Sequence, residues 1–423
     1  MGEFILRGGI VHCEDVPLPR IARAVGTPVF VYSSAAMRGQ ARALRAALAP
    51  LSDPLIAYAV KANPNGAVLA TLAAEGLGAD VVSGGEYCRA RAAGIAGEKI
   101  VFSGVGKTAA EMALALEGGI LQFNLESLPE AELLSEVAVS MGRKAPVAFR
   151  VNPDVASGSH AKISTGAAHN KFGIPIADAP AAFDRARDLP GLQVNGLAVH
   201  IGSQLTSLTP LEAAFAKVGA MIAQLRARGD AIRTADLGGG LGVRYDPSLP
   251  APPSPADYGA MVARVTQGWD VRLIFEPGRL IVGEAGVLLT QVIRIKPGPA
   301  CPFVILDAAM NDLMRPTLYD AWHDIDAVAP NGGRMTADVV GPVCETGDTF
   351  AIARPLDQVQ AGDLMIIRTA GAYAATMGST YNSRPLAAEV LVDGGRWEVV
   401  RERRDVEATI REEKIPEWLG SER

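Results

Sequence analysis

The chain has 423 residues, of which 49% are hydrophobic and 20% charged, and its formal net charge is −6. That length allows two or three domains with ample core, and the composition is that of a globular enzyme rather than a disordered chain. An acidic balance without a long basic run argues against nucleic acid as a partner, and no apolar stretch is long enough to span a bilayer. The four cysteines, Cys13, Cys88, Cys301 and Cys344, have no C-x-x-C spacing. Neither a disulfide framework nor a zinc site is therefore expected, and a reducing cytoplasm fits. The first residues lack the basic and apolar segments of a secretion signal.

In chain order, residues 4–11 read first as a strand. From about residue 27 to 278, apolar runs at 55–61, 79–83, 100–104, 121–124, 146–151, 196–202, 234–240 and 272–278 alternate with helical patterns such as 67–75, 109–117 and 211–228. Eight strands alternating with helices argue for parallel βαβ units closed into a (β/α)8 barrel, with an open doubly wound sheet as the alternative. Beyond residue 278, runs at 287–295, 303–307, 364–369 and 388–392 lie between Gly and Pro turns without helical alternation. They point to a second, β-rich domain of sandwich or barrel type. The expected organisation is α/β, with a barrel over 26–282 and a β-rich domain built from 1–25 and 283–423. The charge-dense tail at 401–413 reads as a solvated helix.

Most barrel runs end in chemically capable residues: Lys61, Asp80 with Ser83, Arg150 with Asn152, His200 with Ser203, Gly238-Gly239-Gly240, and Glu276 with Arg279. Barrel enzymes build their sites from the carboxyl ends of the strands. Lys61 closes a run that reads as a buried strand, where desolvation turns an amine into a nucleophile for a Schiff base; snorkelling to solvent is the other reading. Three consecutive glycines let backbone N–H groups approach a phosphate, although they also suit a tight turn. The Gly104-Val105-Gly106-Lys107-Thr108 stretch lacks the first glycine of a nucleotide P-loop. Glu276 is placed to hold a proton on a ring nitrogen, Arg279 to clamp a carboxylate, and His200 to stack on a flat ring. A lysine, a one-phosphate cup, an acid for a pyridine nitrogen and a ring for its face describe pyridoxal 5'-phosphate, with no metal required.

These stretches also carry a resemblance. Tyr58-Ala59-Val60-Lys61-Ala62-Asn63, Asp80 to Glu86, Arg150-Val151-Asn152-Pro153-Asp154, Ile163-Ser164-Thr165-Gly166, Lys171-Phe172-Gly173, His200 to Gln204, the glycine loop and Glu276-Pro277-Gly278-Arg279 lie in the expected barrel. Met310 to Pro316, Gly341-Pro342-Val343-Cys344-Glu345 and Gly371-Ala372-Tyr373 lie beyond it. Together they resemble the diaminopimelate decarboxylases, of the alanine-racemase-like barrel class of pyridoxal phosphate enzymes, from about residue 27 to 392.

The resemblance implies that Lys61 binds the cofactor covalently, with Asp80 close by, that His200 stacks on its ring, and that Glu276 pairs with the ring nitrogen. It implies that Ser203, Gly239, Gly240, Gly278, Arg279 and Tyr373 surround the phosphate. Arg279, Arg315 and Tyr319 would take the substrate's distal carboxylate and Glu345 its distal amine, Tyr373 would also touch the substrate, and Cys344 or Lys61 would return a proton. In this class the Cys344 and Glu345 positions serve the neighbouring subunit, so a homodimer with shared sites is implied. The implied reaction converts meso-diaminopimelate to L-lysine and carbon dioxide, the last step of lysine biosynthesis. An ornithine- or arginine-type decarboxylase of the same fold is the alternative, and Arg315 with Tyr319 discriminates against it, because those substrates lack the distal carboxylate that the pair would bind. The Ser, Gly, Ala and His content of residues 154–170 would permit the motion of a lid.

Overall fold

A computed structural model describes residues 3–156 and 170–419. Most of the expected lid, and the motif at 163–166, lie outside the described residues. The chain divides into two compact units, Ser34–Glu284 and the combination of Met1–Ser33 with Ala285–Arg423.

Eight strands build the first unit: β1 (Leu55–Ala59), β2 (Gly78–Val81), β3 (Ile100–Phe102), β4 (Gln122–Leu125), β5 (Ala145–Asn152), β6 (Leu192–Ala198), β7 (Thr234–Asp236) and β8 (Arg272–Phe275). Each pairs in parallel with the next. The open-sheet alternative fails at one contact, because β8 also pairs with β1 through Ile274 with Leu55 and Phe275 with Ile56. Closure gives each of the eight barrel strands a neighbour on both sides, with the short strand Ile174–Pro175 added beside the end of β5, and it explains why β1 is buried along its whole length.

Helices follow the strands, and their starts are written in the sequence. Ser83 caps Gly84–Ala92 by accepting from the Glu86 N–H. Thr108 with Glu111, and Ser254 with Asp257, form reciprocal capping boxes at Ala109–Glu117 and Pro255–Val265. The helices Gly66–Ala74 and Thr209–Ala227 lie close to the expected patterns.

Two expectations change here. β6 begins at Leu192, four residues before the expected run, and ends at Ala198, so His200 stands in the loop beyond it. Its lower half carries Gln193 and Asn195, which are not fully buried, and the register shifts between Val194 and Gly196, so the segment lacks a continuous apolar pattern. The first unit also begins at residue 34 rather than 26. Val29–Ser33 lies in the second unit, where it pairs with Gly286–Lys296 and Ala388–Asp393.

The second unit is built on a nine-stranded sheet centred on Gly286–Lys296, Val29–Ser33 and Ala388–Asp393. A separate three-stranded sheet holds Phe4–Arg7, Ile10–Cys13 and Val16–Pro17. The expected single strand at 4–11 is thus a hairpin. Gly8 and Gly9 turn it with φ of 58° and 81°, values a two-residue hairpin requires and glycine adopts without strain. Its core packs Phe4, Val11 and Cys13 with Val31, Leu289, Ile366 and Val390. The tail carries a short exposed helix at Val406–Glu412.

Gly196 tests the closeness of the barrel strands. A methyl group there would lie 2.0 Å from the Thr234 carbonyl oxygen on β7. Gly196→Ala is expected to cost about 3 kcal/mol, measured by denaturant unfolding of the full chain.

Candidate active site

The carboxyl ends of the strands converge on a set of charged groups. β1 stops at Ala59, and Lys61 follows in a single 3-10 turn, Val60–Ala62. Its ε-amine meets the carboxylate of Asp80 on β2. Asp80 is 0% exposed, whereas the Lys61 side chain is 37% exposed. The sequence points to a buried lysine, but burial falls on its partner: the 3-10 turn lifts Lys61 off the strand and leaves the carboxylate inside. Asp80 Oδ2 takes the amine, and Oδ1 is buried without a hydrogen bond.

Deeper in the barrel, Glu276, the residue after β8, is 8% exposed, and Asp236, at the end of β7, is 1% exposed. Asn124 on β4 joins them. Its amide nitrogen donates to Asp236 Oδ2 at 2.8 Å, to Ser103 Oγ at 3.0 Å and to Glu276 Oε1 at 3.4 Å. Ser103 Oγ donates to the same Glu276 oxygen at 3.1 Å. Gln122 fixes the orientation of the Asn124 amide by donating to its Oδ1 at 2.8 Å. Burial pushes the Asp236 carboxyl up to about 6, against hydrogen bonds from Asn124 and Gly238 that lower it. Burial, followed by the charges of Asp236 and Asp80, pushes Glu276 well above the usual carboxylate range. These are acids built to face a cation or to hold a proton.

His200 sits across from them. The Gly239 N–H donates to His200 Nδ1 at 3.2 Å, which places the ring hydrogen on Nε2. Burial, then the charges of Arg150 and Lys61, hold the imidazole well below its ordinary value, so the ring is neutral. Arg150 itself pairs with Glu126 at 2.8 Å, and Glu126 also accepts from the N–H groups of Gly173 at 2.6 Å and Gly104 at 3.3 Å.

The glycine loop after β7 is shaped by close approach. A methyl group on Gly238, Gly239 or Gly240 would lie 2.5, 2.1 or 2.4 Å from the carbonyl oxygens of Val199, Glu276 and Gly202. The loop beside it, with Ser203, is zipped on by Leu205 N–H to Gly240 O at 2.9 Å and Gly242 N–H to Leu205 O at 3.0 Å. Gly278 precedes the turn Arg279–Val282. Arg279 is 7% exposed, donates to the Tyr245 hydroxyl, and lies 5.6 Å over the Tyr245 ring.

The structure therefore brings Lys61, Asp80, His200, Ser203, Gly239, Gly240, Glu276, Gly278 and Arg279 to one end of the barrel. The other expected residues, Arg315, Tyr319, Cys344, Glu345 and Tyr373, belong to the second unit. There Arg315 is 5% exposed and donates to His323 Nε2 at 2.8 Å. His323 Nδ1 donates to the Arg368 carbonyl at 2.7 Å, so the ring is a neutral acceptor towards Arg315. Cys344 and Glu345 are exposed. Sequence reasoning missed Ser103, Asn124, Tyr245 and His323 as members of these networks. The first two stand at the ends of apolar runs, the position that marked the others.

A family model described as pyridoxal-dependent decarboxylase, pyridoxal binding domain, matches residues 35–283. The chain belongs to the pyridoxal-dependent decarboxylases. It is 56% identical over 421 residues to a diaminopimelate decarboxylase of Zymomonas mobilis, covering 99% of this chain and 100% of the relative. It resembles the structure of a Helicobacter pylori diaminopimelate decarboxylase complexed with L-lysine at 39% identity and a TM-score of 0.89, covering 93% of this chain and 98% of that one. An M. jannaschii diaminopimelate decarboxylase in co-complex with L-lysine gives 34% identity and a TM-score of 0.94, covering 98% of both chains.

As a member of this family the chain takes pyridoxal phosphate, and the barrel residues fit it. Lys61 offers an amine, Gly238 to Gly240 form a cradle that any side chain would fill, His200 offers a neutral ring, and Glu276 is a buried acid ready for a cation.

The acid cluster gives a pH prediction for the cofactor-free protein. Asp236 has a folded value of about 6 against 3.8 unfolded, so its burial adds a stability cost as pH rises through that window. Asp236→Asn lacks that titration. The stability of wild type relative to the variant is expected to fall by about 2 kcal/mol between pH 4 and pH 7, read by denaturant melts at each pH.

Proposed function

We propose that this chain decarboxylates meso-diaminopimelate at its D-configured centre, releasing L-lysine and carbon dioxide as the last step of lysine biosynthesis. The observation that carries the reading is the extent of the likeness. The family model matches only 35–283, but the Zymomonas mobilis relative matches 99% of the chain, including the unit that holds Arg315, Tyr319, Cys344, Glu345 and Tyr373. Two relatives carry L-lysine, the expected product, in their solved structures.

Bound in the barrel, pyridoxal phosphate supplies the electron sink that loss of a carboxylate requires. Lys61 holds the cofactor, and Asp80 keeps the amine in place. Glu276, set by Ser103 and Asn124, keeps a proton on the ring nitrogen. His200, locked in one tautomer by the Gly239 N–H, would offer the cofactor ring a neutral surface. Gly239, by its close backbone approach, and Gly240, Ser203 and Tyr373 would hold the phosphate, with Gly278 and Arg279 close by. Arg279, Arg315 and Tyr319 would receive the distal carboxylate, and Glu345 the distal amine. His323 fixes the Arg315 guanidinium without neutralising it, because its ring is uncharged. Cys344 or Lys61 would return the proton to the reacting carbon. Cys344 and Glu345 serve the neighbouring subunit in this reading, so the working unit is a cytoplasmic homodimer whose β-rich parts complete the sites.

A distal carboxylate separates this substrate from ornithine and arginine. Purified protein with pyridoxal phosphate is expected to release carbon dioxide and L-lysine from meso-diaminopimelate and to release nothing from L-ornithine or L-arginine. Release from either of those instead would mean that Arg315 and Tyr319 do not bind a carboxylate.

A further inference from the structure

Arg279 is the barrel's own candidate for the substrate's distal carboxylate, and two side chains outside the expected site set where its guanidinium points. Arg279 opens the turn Arg279–Val282 and is 7% exposed. Its Nη1 donates to the hydroxyl of Tyr245, whose ring centre also lies 5.6 Å from the guanidinium carbon. Tyr245 is half-buried in the loop that follows the glycines.

That loop is fixed on both sides of Tyr245. Before it, Gln204 grips both main-chain groups of Val243. Gln204 Nε2 donates to the Val243 carbonyl at 2.6 Å, and its Oε1 accepts from the Val243 N–H at 3.2 Å. After it, Asp246 Oδ1 accepts from the N–H and the hydroxyl of Ser248 at 2.8 and 2.6 Å, which closes a turn. Gln204 makes its grip from a left-handed backbone with φ of 58°. That conformation costs a residue with a Cβ about 1 kcal/mol. Glycine would adopt it freely but has no side chain to reach Val243.

We infer that Tyr245 is a positioning residue that aims Arg279 at the distal carboxylate, with Gln204 setting the loop that carries Tyr245. The inference rests on the decarboxylase reading above. Neither residue is assigned contact with substrate. A hydroxyl and an aromatic face hold a guanidinium without cancelling its charge, whereas a carboxylate in the same place would compete with the ligand. An arginine side chain loses rotamer freedom when it meets a carboxylate, and a guanidinium already held loses less.

Decarboxylation at the D-configured centre leaves the distal carboxylate on L-lysine, so L-lysine reports on Arg279 directly. Cadaverine, which is L-lysine without that carboxylate, is the control. Both are titrated by calorimetry into the pyridoxal phosphate-loaded wild type, Tyr245→Phe, Gln204→Ala and the double variant. Tyr245→Phe keeps the ring and removes only the hydroxyl. It should weaken L-lysine about tenfold, leave cadaverine unchanged, and raise KM for meso-diaminopimelate more than it lowers kcat. Gln204→Ala should also weaken L-lysine. The double variant should lose less than the product of the two single losses, because both act on one guanidinium. Losses that multiply would overturn the part given to Gln204. The inference as a whole fails if Tyr245→Phe binds L-lysine as wild type does. It fails equally if that variant loses cadaverine by the same factor, which would mark a general disturbance of the site. If wild type neither binds L-lysine nor turns over meso-diaminopimelate, the decarboxylase reading fails, and this inference with it.

Discussion

Three carboxylates, Asp80, Asp236 and Glu276, lie inside a closed barrel, and Lys61 meets them through Asp80. Burying an ionised carboxylate is costly unless a cation or hydrogen-bond donors compensate. The rest of the site can be understood as that compensation. Asp80 fixes the amine of Lys61. Asn124 and Ser103 spend their donors on Asp236 and Glu276, and Gln122 holds Asn124 so that its donors, not its oxygen, face the acids. Burial, and after it the charges of Asp236 and Asp80, raises the proton affinity of Glu276, which suits it to a protonated pyridine nitrogen.

The backbone answers a second constraint, which is space. The glycine loop passes the carbonyls of Val199, Gly202 and Glu276 so closely that no side chain fits. The same closeness lets Gly239 donate to His200 and set its tautomer. One loop therefore leaves N–H groups free of side-chain cover and orients the ring opposite. Barrel closure through β8 and β1 makes this possible, because it brings Glu276 at the end of the last strand beside the elements that follow the first.

Much of this was legible in the sequence because a parallel barrel places its chemistry at strand ends, and strand ends are where apolar runs stop. Lys61, Asp80, His200 and Glu276 were found that way, and motif likeness added the residues of the second unit. What escaped detection has physical causes. β6 was misplaced because its lower half is not fully buried and its register slips, so it lacks a continuous apolar signature. The first unit begins later than expected because Val29–Ser33, far in sequence from the second unit's other strands, pairs with Gly286–Lys296 and Ala388–Asp393. Asn124 and Ser103 carry small uncharged side chains, whose role depends on partners far away in sequence. The Gly104 to Thr108 stretch, with its faint likeness to a P-loop, is structural. Lys107 is buried and donates to Gly104 O at 2.7 Å, Asn124 O at 2.8 Å and Glu130 Oε1 at 2.7 Å, while Thr108 caps the next helix.

The central claim is that Lys61, held by Asp80 at the end of β1, is the residue that carries the cofactor. The most direct measurement is borohydride reduction of the full-length protein loaded with pyridoxal phosphate, followed by proteolysis and mass spectrometry of the modified peptide. The account predicts a single stoichiometric addition at Lys61. Modification at Lys107 or another lysine, with Lys61 untouched, would contradict it.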